Sequence, residues 1–321
     1  EVFAGLGKGL TISMKIEIRK LVLLSYLYML IPIGLFFLGW LKPVIGILCM
    51  LFLSAGFIVF FWQDYKEDRE SYYLSYLQIG ICIAGIGLFV WLSGAGGFFV
   101  QTGDNQGRNA VFRDLIDYSW PVRYTEGNDM SLVYYFTHWL VPALGAKCLG
   151  LKTGWVTGNI LLVLWVFAGI VLSALLIIHL TKAYKSVSKT VMVIGFIALW
   201  SGMNYVGHAF STSLGFSSGP FNLSSNEGWL DYWRNGFDCS YLYRSNMDAL
   251  SQVYNQTIIP WIAVPLFLEN KKIKNMAFVG LSIHPYPPIP FVGIIMIADA
   301  YALSEGSKEW KHNKAEEFTF N

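Results

Sequence analysis

The residues best suited to chemistry crowd into Gly103–Tyr124 (GDNQGRNAVFRDLIDYSWPVRY), where Asp104 is followed by Arg108, Arg113 and Arg123. A carboxylate held within hydrogen-bond reach of a reacting hydroxyl can take its proton, and an arginine fork matches the oxygens of a phosphate. Each group also has a plainer use. Asp before an apolar-periodic run most often caps a helix, which would employ Asp104 and Asn105, and the arginines can pair with Asp114 and Asp117 along a helix surface. Arg108–Tyr118 has helical spacing, with Val111, Phe112, Leu115 and Ile116 on one side and Arg113, Asp114 and Asp117 toward the other.

Other side chains offer chemistry less directly. His138 stands beside Trp139 and could reach a cavity, although an interfacial histidine needs no ligand. Ser201, Asn204 and His208 share a helical spacing inside an apolar run. Polar groups there are functional by default, yet they also hydrogen-bond neighbouring helices. His284, within HPYPPIP, could hold a phosphate or cap a half-helix. The aromatics and acids after Ser211, among them Trp229, Asp231 and Trp233, suit stacking on sugar rings and equally suit a membrane interface. Asn222 and Asn255 open glycosylation sequons. Cys148 and Cys239 could pair in an oxidising compartment, while the four cysteines show no metal-ligand spacing.

Composition names the elements that must carry these groups. The 321 residues are 55% apolar and only 14% charged, against about 25% charged in a soluble domain, and mean hydropathy is +0.47. So few charges exclude a soluble enzyme, a disordered chain and a coiled coil. A net charge of +2 without a basic face excludes a nucleic-acid partner. A membrane crossing takes about 20 apolar residues, a length met by Leu21–Trp40, Pro43–Trp62, Tyr76–Phe98, Gly154–Leu180 and Thr190–Phe210. Thr257–Leu268 is short and holds Pro260 and Pro265, and Met276–Leu303 is interrupted at His284–Pro290; this pair reads as a broken or re-entrant region lining a cavity. The expected fold is therefore all-α, a polytopic bundle of about 6–7 spans with a large outer loop bearing two interfacial amphipathic helices. Ser131–Gly150 is read as the second of these, bent at Pro142, and not as a further span.

The order of span, Asp104, Arg-bearing helix, Trp120–Pro121, a second helix with Tyr134, Tyr135 and Trp139, then a long span resembles the lipid-linked sugar transferases of the GT-C type. It is most similar to their protein O-mannosyltransferase and aminoarabinose-transferase branch, over about Tyr76–Leu180. RNAVFRDLIDYSWPVRY also resembles a recurrent element of bacterial multi-span proteins. The resemblance implies that Asp104 is the catalytic base. It places Arg113, Trp120, Tyr134 and Tyr135 at the family's loop elements; the chemistry of a departing phosphate adds Arg108 and Arg123 as its partners, and His138, His208 and His284 complete the candidate substrate-binding set from their own positions. The donor would be a polyprenyl-phosphate-linked sugar and the acceptor a glycan, lipid or protein. Here the family's paired acid is Asn105 and its W-x-x-P element is contracted to Trp-Pro, departures that weaken the case for a divalent metal while leaving one open as a cofactor.

The chain then divides into a non-native leader, 1–13, before Met14; a two-span hairpin, 14–75; a GT-C-like core, 76–210, with its outer catalytic loop at 99–153; a second outer loop, 211–256; broken membrane segments, 257–303; and a truncated polar tail, 304–321. Lys and Arg cluster at Lys15–Lys20, Lys66–Arg69, Lys182–Lys189 and Lys271–Lys274, which places these turns and the N-terminus in the cytoplasm of a bacterial cell. Cysteines introduced in 99–153 should react with an impermeant thiol reagent on intact cells, and those in 183–188 should not. Outside labelling at Ala183 would overturn this orientation.

Overall fold

The computed structural model describes residues 13–65, 70–99, 101, 103–125, 130–149, 154–200, 245–270, 278–280, 282–286 and 290–304. The described residues are all-α in character, about 79% of them helical. Helix α1 covers Ile18–Trp40, α2 Pro43–Tyr65, α3 Tyr76–Leu92, α4 Asp104–Asp117, α5 Leu140–Cys148, α6 Gly154–Leu180, α7 Val187–Leu199 and α8 Asn246–Asn270; α9 covers Pro290–Ser304. Three of them, over Ile18–Trp40, Pro43–Phe61 and Trp155–Leu180, are long and apolar enough to cross a membrane. The apolar stretch of α2 is only 6% buried, with Val44, Phe52 and Ile58 all outward. A helix apolar all round and bare of protein fits a lipid environment, which removes that surface from water.

Helices α3, α7 and α9 are apolar but shorter than a full crossing. The run read as a span over Tyr76–Phe98 stops at Leu92 because Gly94, Gly96 and Gly97 adopt positive φ and turn the chain. Gly96 sits against Val163 and the Asn159 carbonyl, where a Cβ has no room. The run read over Thr190–Phe210 begins at Val187 as α7, and residues 201–210 lie outside the described residues.

Two small sheets, which the sequence did not suggest, tie the ends of the bundle. Strand β1 (Ser13–Ile16) pairs antiparallel with β2 (Tyr72–Ser75), from Ser13 opposite Ser75 to Ile16 opposite Tyr72. Arg123–Tyr124 (β3) pairs with Met130–Ser131 (β4) at the other end. Ser75 and Gln78 form a reciprocal cap at the start of α3, and the buried Gln78 amide also donates to Tyr184 O at 3.1 Å and Thr190 Oγ1 at 2.8 Å. Tyr72 Oη donates to Leu175 O at 3.0 Å, so α3 and α6 run antiparallel. Helices α6 and α8 run parallel: Ile258 meets Gly169, Ser173 Oγ donates to Trp261 O at 2.6 Å, and His179 pairs with Glu269 at 3.4 Å. One end of the bundle thus carries the β1–β2 sheet and Lys182–Lys189; the opposite end carries α4, α5 and the β3–β4 pair.

Three helices cross closely at Gly169, where a Cβ would meet Tyr28 Oη at 2.5 Å as well as Ile258 Cγ2. Overpacking of this kind costs about 1–3 kcal/mol. Gly169→Ala should therefore lower the thermal midpoint of the detergent-solubilised protein, whereas Gly80→Ala, with no atom within 4 Å of its Cβ position, should not.

Candidate functional site

The site begins with α4. Its apolar stripe, Phe112, Leu115 and Ile116, is buried, and Gly158 of α6 lets Ile116 and Phe112 approach closely. The helix starts at Asp104, earlier than the spacing of its apolar residues indicated. Gly103 holds the N-cap position without a side-chain cap bond, so neither Asp104 nor Asn105 caps the helix. Asp104 instead sits in the first turn, where the helix dipole favours a carboxylate. Its side chain is 73% exposed and lies 3.5 Å from Arg108 Nη2.

Arg108 and Asn105 face inward. Asn105 Nδ2 donates to Ser251 O at 3.1 Å, and the buried Arg108 guanidinium donates to Gln252 O and to Asn105 Oδ1. The reason lies in α8. At Val253 the backbone leaves helical geometry, with φ −139° and ψ 40°, and Thr257 Oγ1 reaches the carbonyl of Ala249 as well as that of Val253. The helix breaks into two half-helices, and Ser251 and Gln252 supply the last carbonyls of the first. Asn105 and Arg108 satisfy carbonyls that have lost their helical donors, and a cation suits a helix C-terminus. The break therefore falls at Val253 and not at Pro260 or Pro265, which both remain inside the helix. Pro265 has no N–H for Trp261 O, and Ser173 Oγ supplies it.

A second polar group lies deeper. His138 is fully buried in the short 3-10 turn Thr137–Trp139, and is not an interfacial residue. Its Nε2 is 3.2 Å from Tyr28 Oη, while Tyr28 Oη donates to Trp165 O at 2.9 Å. The tyrosine has one hydrogen, so His138 donates through Nε2–H and keeps Nδ1 as a bare acceptor; this tautomer follows from the hydrogen bonds. Nδ1 has no partner among the described residues, and neither do Arg108 Nε, Trp165 Nε1 and Asn255 Oδ1. Tyr28 stacks on Trp165 at 4.0 Å, and the Tyr254 ring lies 6.2 Å from both His138 and Trp139. Burial pushes the His138 pKa down to about 3, which keeps the imidazole neutral.

The remaining candidates scatter. Arg113 lies over the Trp155 ring at 3.0 Å. Nine residues along α4 carry it about 13.5 Å from Asp104 and half a turn around the helix, so the two cannot face one small group. Arg123 is exposed on β3, beyond the far end of α4. There Tyr124 bonds the Asp114 carboxylate, and burial together with that bond pushes its hydroxyl up to about 12. Trp120 Nε1 donates to Leu115 O at 2.9 Å and its ring packs on Trp40, a structural joint. Tyr134 stacks on Trp139; Tyr134 and Tyr135 are both exposed. Within the stretch read as an interfacial helix over Ser131–Gly150, only the 3-10 turn and the nine-residue α5 are helical, and α5 buries Leu140, Ala143 and Ala146. Pro142 falls in its first turn, where no intrahelical donor is needed. His284 is exposed and edge-on to Phe291, while its neighbours are anchored, Pro285 O by Thr137 Oγ1 and Tyr286 Oη by Met29 O.

His208, Cys239 and residues 211–244 of the loop lie outside the described residues; Asn246–Gln256, read as its continuation, is helical. Asn255 is buried and its amide donates to Tyr135 O, so it cannot carry a glycan in the folded protein. Among the described residues no three His, Cys, Asp or Glu side chains converge as metal ligands. Tyr28, Trp165 and Tyr254 escaped the sequence reading; the signal for them is a polar handle inside an apolar helix. Comparison with protein-family models, curated proteins and solved structures returns no match.

His138 binds a proton more readily in the unfolded chain, near pH 6.5, than in the folded one, near 3. Its contribution to stability is therefore complete above about pH 6.5 and falls as pH drops through that window, by about 1.4 kcal/mol per pH unit. Thermal melts from pH 7 to 4 should show a shallower acid loss for His138→Gln than for the parent chain.

Proposed function

We propose that this chain is an integral-membrane transferase of the GT-C type, moving a sugar from a polyprenyl-phosphate carrier to an acceptor hydroxyl at the outer face. In this reading six or seven segments cross or enter the bilayer, the N-terminus and Lys182–Lys189 are cytoplasmic, and α4 and α5 sit at the outer surface. The observation that carries it is the Asp104–Arg108 pair: an exposed carboxylate beside a guanidinium anchored in protein. Asp104 takes the acceptor proton as the acceptor oxygen bonds the anomeric carbon. The carbon–oxygen bond to the carrier breaks, and its electron pair leaves with the phosphate. Arg108 holds the base in position and is the nearest cation to the departing charge. Arg113 and Arg123 enter this reading only as surface cations, for an anionic group at the other end of α4. His138 and Tyr28 support the floor beneath the loop.

A second reading, translocation of a lipid-linked or polar substrate, is favoured by the break in α8. Irregular backbone at membrane depth is tolerated where protein or a cavity surrounds it, and transporters use it for binding.

The test is Asp104→Asn in proteoliposomes supplied with radiolabelled polyprenyl-phosphate sugars and acceptor. Loss of a positioned base lowers transfer about 10²–10⁴-fold. The melting temperature should barely move, because an exposed ion pair contributes at most about 1 kcal/mol. Near-normal transfer by the variant would remove Asp104 from catalysis. Movement of a labelled carrier across the bilayer by the parent chain, with no transfer, would favour translocation.

A further inference from the structure

Helix α7 presents Lys189, Met192, Val193, Phe196, Ile197 and Trp200 at spacings of three and one, a single stripe along one helix face. The stripe borders two adjoining hollows of about 520 Å³ and about 350 Å³, closed on their other sides by Ile177 of α6, by Thr181 just past its end and by Trp261 and Val264 of α8. Ile177, Thr181, Ile197 and Asn246 line both, so the two form one continuous groove. Its walls are almost wholly apolar. It opens sideways among Met192, Phe196, Val264 and Leu268, which are exposed on the flank of the bundle.

The groove has a polar end. Lys189 lines it, and Lys182 and Lys185 stand in the short connection between α6 and α7 at the same level. Among the described residues no carboxylate pairs with any of these three lysines. From Lys189 to Trp200 is eleven residues, about 16.5 Å of helix. Half of a hydrocarbon core of about 30 Å is about 15 Å. The groove is thus one leaflet deep, greasy along its length and cationic at the level where that leaflet's headgroups lie. A cation there attracts anionic headgroups and is indifferent to zwitterionic ones.

We propose that the α6–α7–α8 groove is a binding site for an anionic phospholipid of the leaflet on the lysine side, with one acyl chain laid along α7 and the phosphate on Lys189. The site is separate from Asp104 and does not depend on the transferase reading.

The test uses the full chain in phosphatidylcholine vesicles doped with acyl-brominated phosphatidylglycerol or acyl-brominated phosphatidylcholine, since bromine quenches nearby tryptophan. Trp200 lines the groove, and its share of the emission is the difference between the parent chain and Trp200→Phe. That share should be quenched at about fivefold lower mole fraction by the brominated phosphatidylglycerol, the effect of one lysine near an anionic headgroup. The preference should persist in Lys189→Arg and vanish in Lys189→Glu. In the unmutated chain it should also collapse at about 1 M salt, where charges are screened within about 3 Å, so the answer does not hang on a variant that inserts poorly. Equal quenching by the two lipids, or a preference that survives both Lys189→Glu and high salt, overturns the proposal. Relief of quenching by unlabelled polyprenyl phosphate at lower mole fraction than by unlabelled phosphatidylglycerol would also overturn it, by assigning the groove to an isoprenoid carrier.

Discussion

A helix that breaks inside an apolar bundle leaves carbonyl oxygens with no water to accept from, and each unpaired group costs about 1–3 kcal/mol. Much of this fold answers that constraint. The carbonyls of Ser251 and Gln252, freed where α8 breaks at Val253, are met by Asn105 and Arg108 of α4. Trp261 O, deprived of a donor by Pro265, is met by Ser173 of α6. Pro285 O, in the proline-rich interruption, is met by Thr137. Each repair joins two elements far apart in sequence, and the two made by Asn105 and Arg108 fix the height and rotation of α4 against α8. Asp104 owes its position to them, because it rides one turn before Arg108 on the same helix.

Close helix contact makes those repairs reachable. Gly169 lets α1 and α8 press on α6, and Gly158 does the same for α4. Where Tyr28 comes near the α6 backbone, its hydroxyl can reach Trp165 O and still receive His138. Small residues at crossings and polar side chains as donors are the usual substitutes for hydrophobic association where lipid surrounds the helices. The two ends of the bundle differ accordingly. The lysine end is closed by a short sheet and the Gln78 network, and the other end carries α4, α5 and the β3–β4 pair.

Arg108 shows how a residue type can suggest one role and its surroundings supply another. As a guanidinium among acids it suits a phosphate; in the fold it is committed to a backbone carbonyl and a neighbouring amide. What it then offers chemistry is position. Arg113, freer in its hydrogen bonds but stacked on Trp155, is too far along α4 to act on the same atoms as Asp104.

The sequence by itself determined the all-α, apolar character of the chain and most of its long elements. Apolar runs bounded by Pro43, by Lys182 and by the turn at Leu41–Lys42 predict α6 to the residue and α1 and α2 to one exact end each, since length and hydropathy are summed over many side chains and tolerate local error. The helix bearing Phe112, Leu115 and Ile116 was equally legible from its period. Tertiary structure alone decided where α3 stops, because Gly94–Gly97 could turn or continue until Asn159 and Val163 crowded them. It also decided that Val253, not a proline, breaks α8, and that His138 is buried with Tyr28. Those outcomes depend on which donor stands opposite a freed carbonyl or a buried ring nitrogen. A hydrogen bond between residues 110 or 144 positions apart leaves no periodicity in the chain to read.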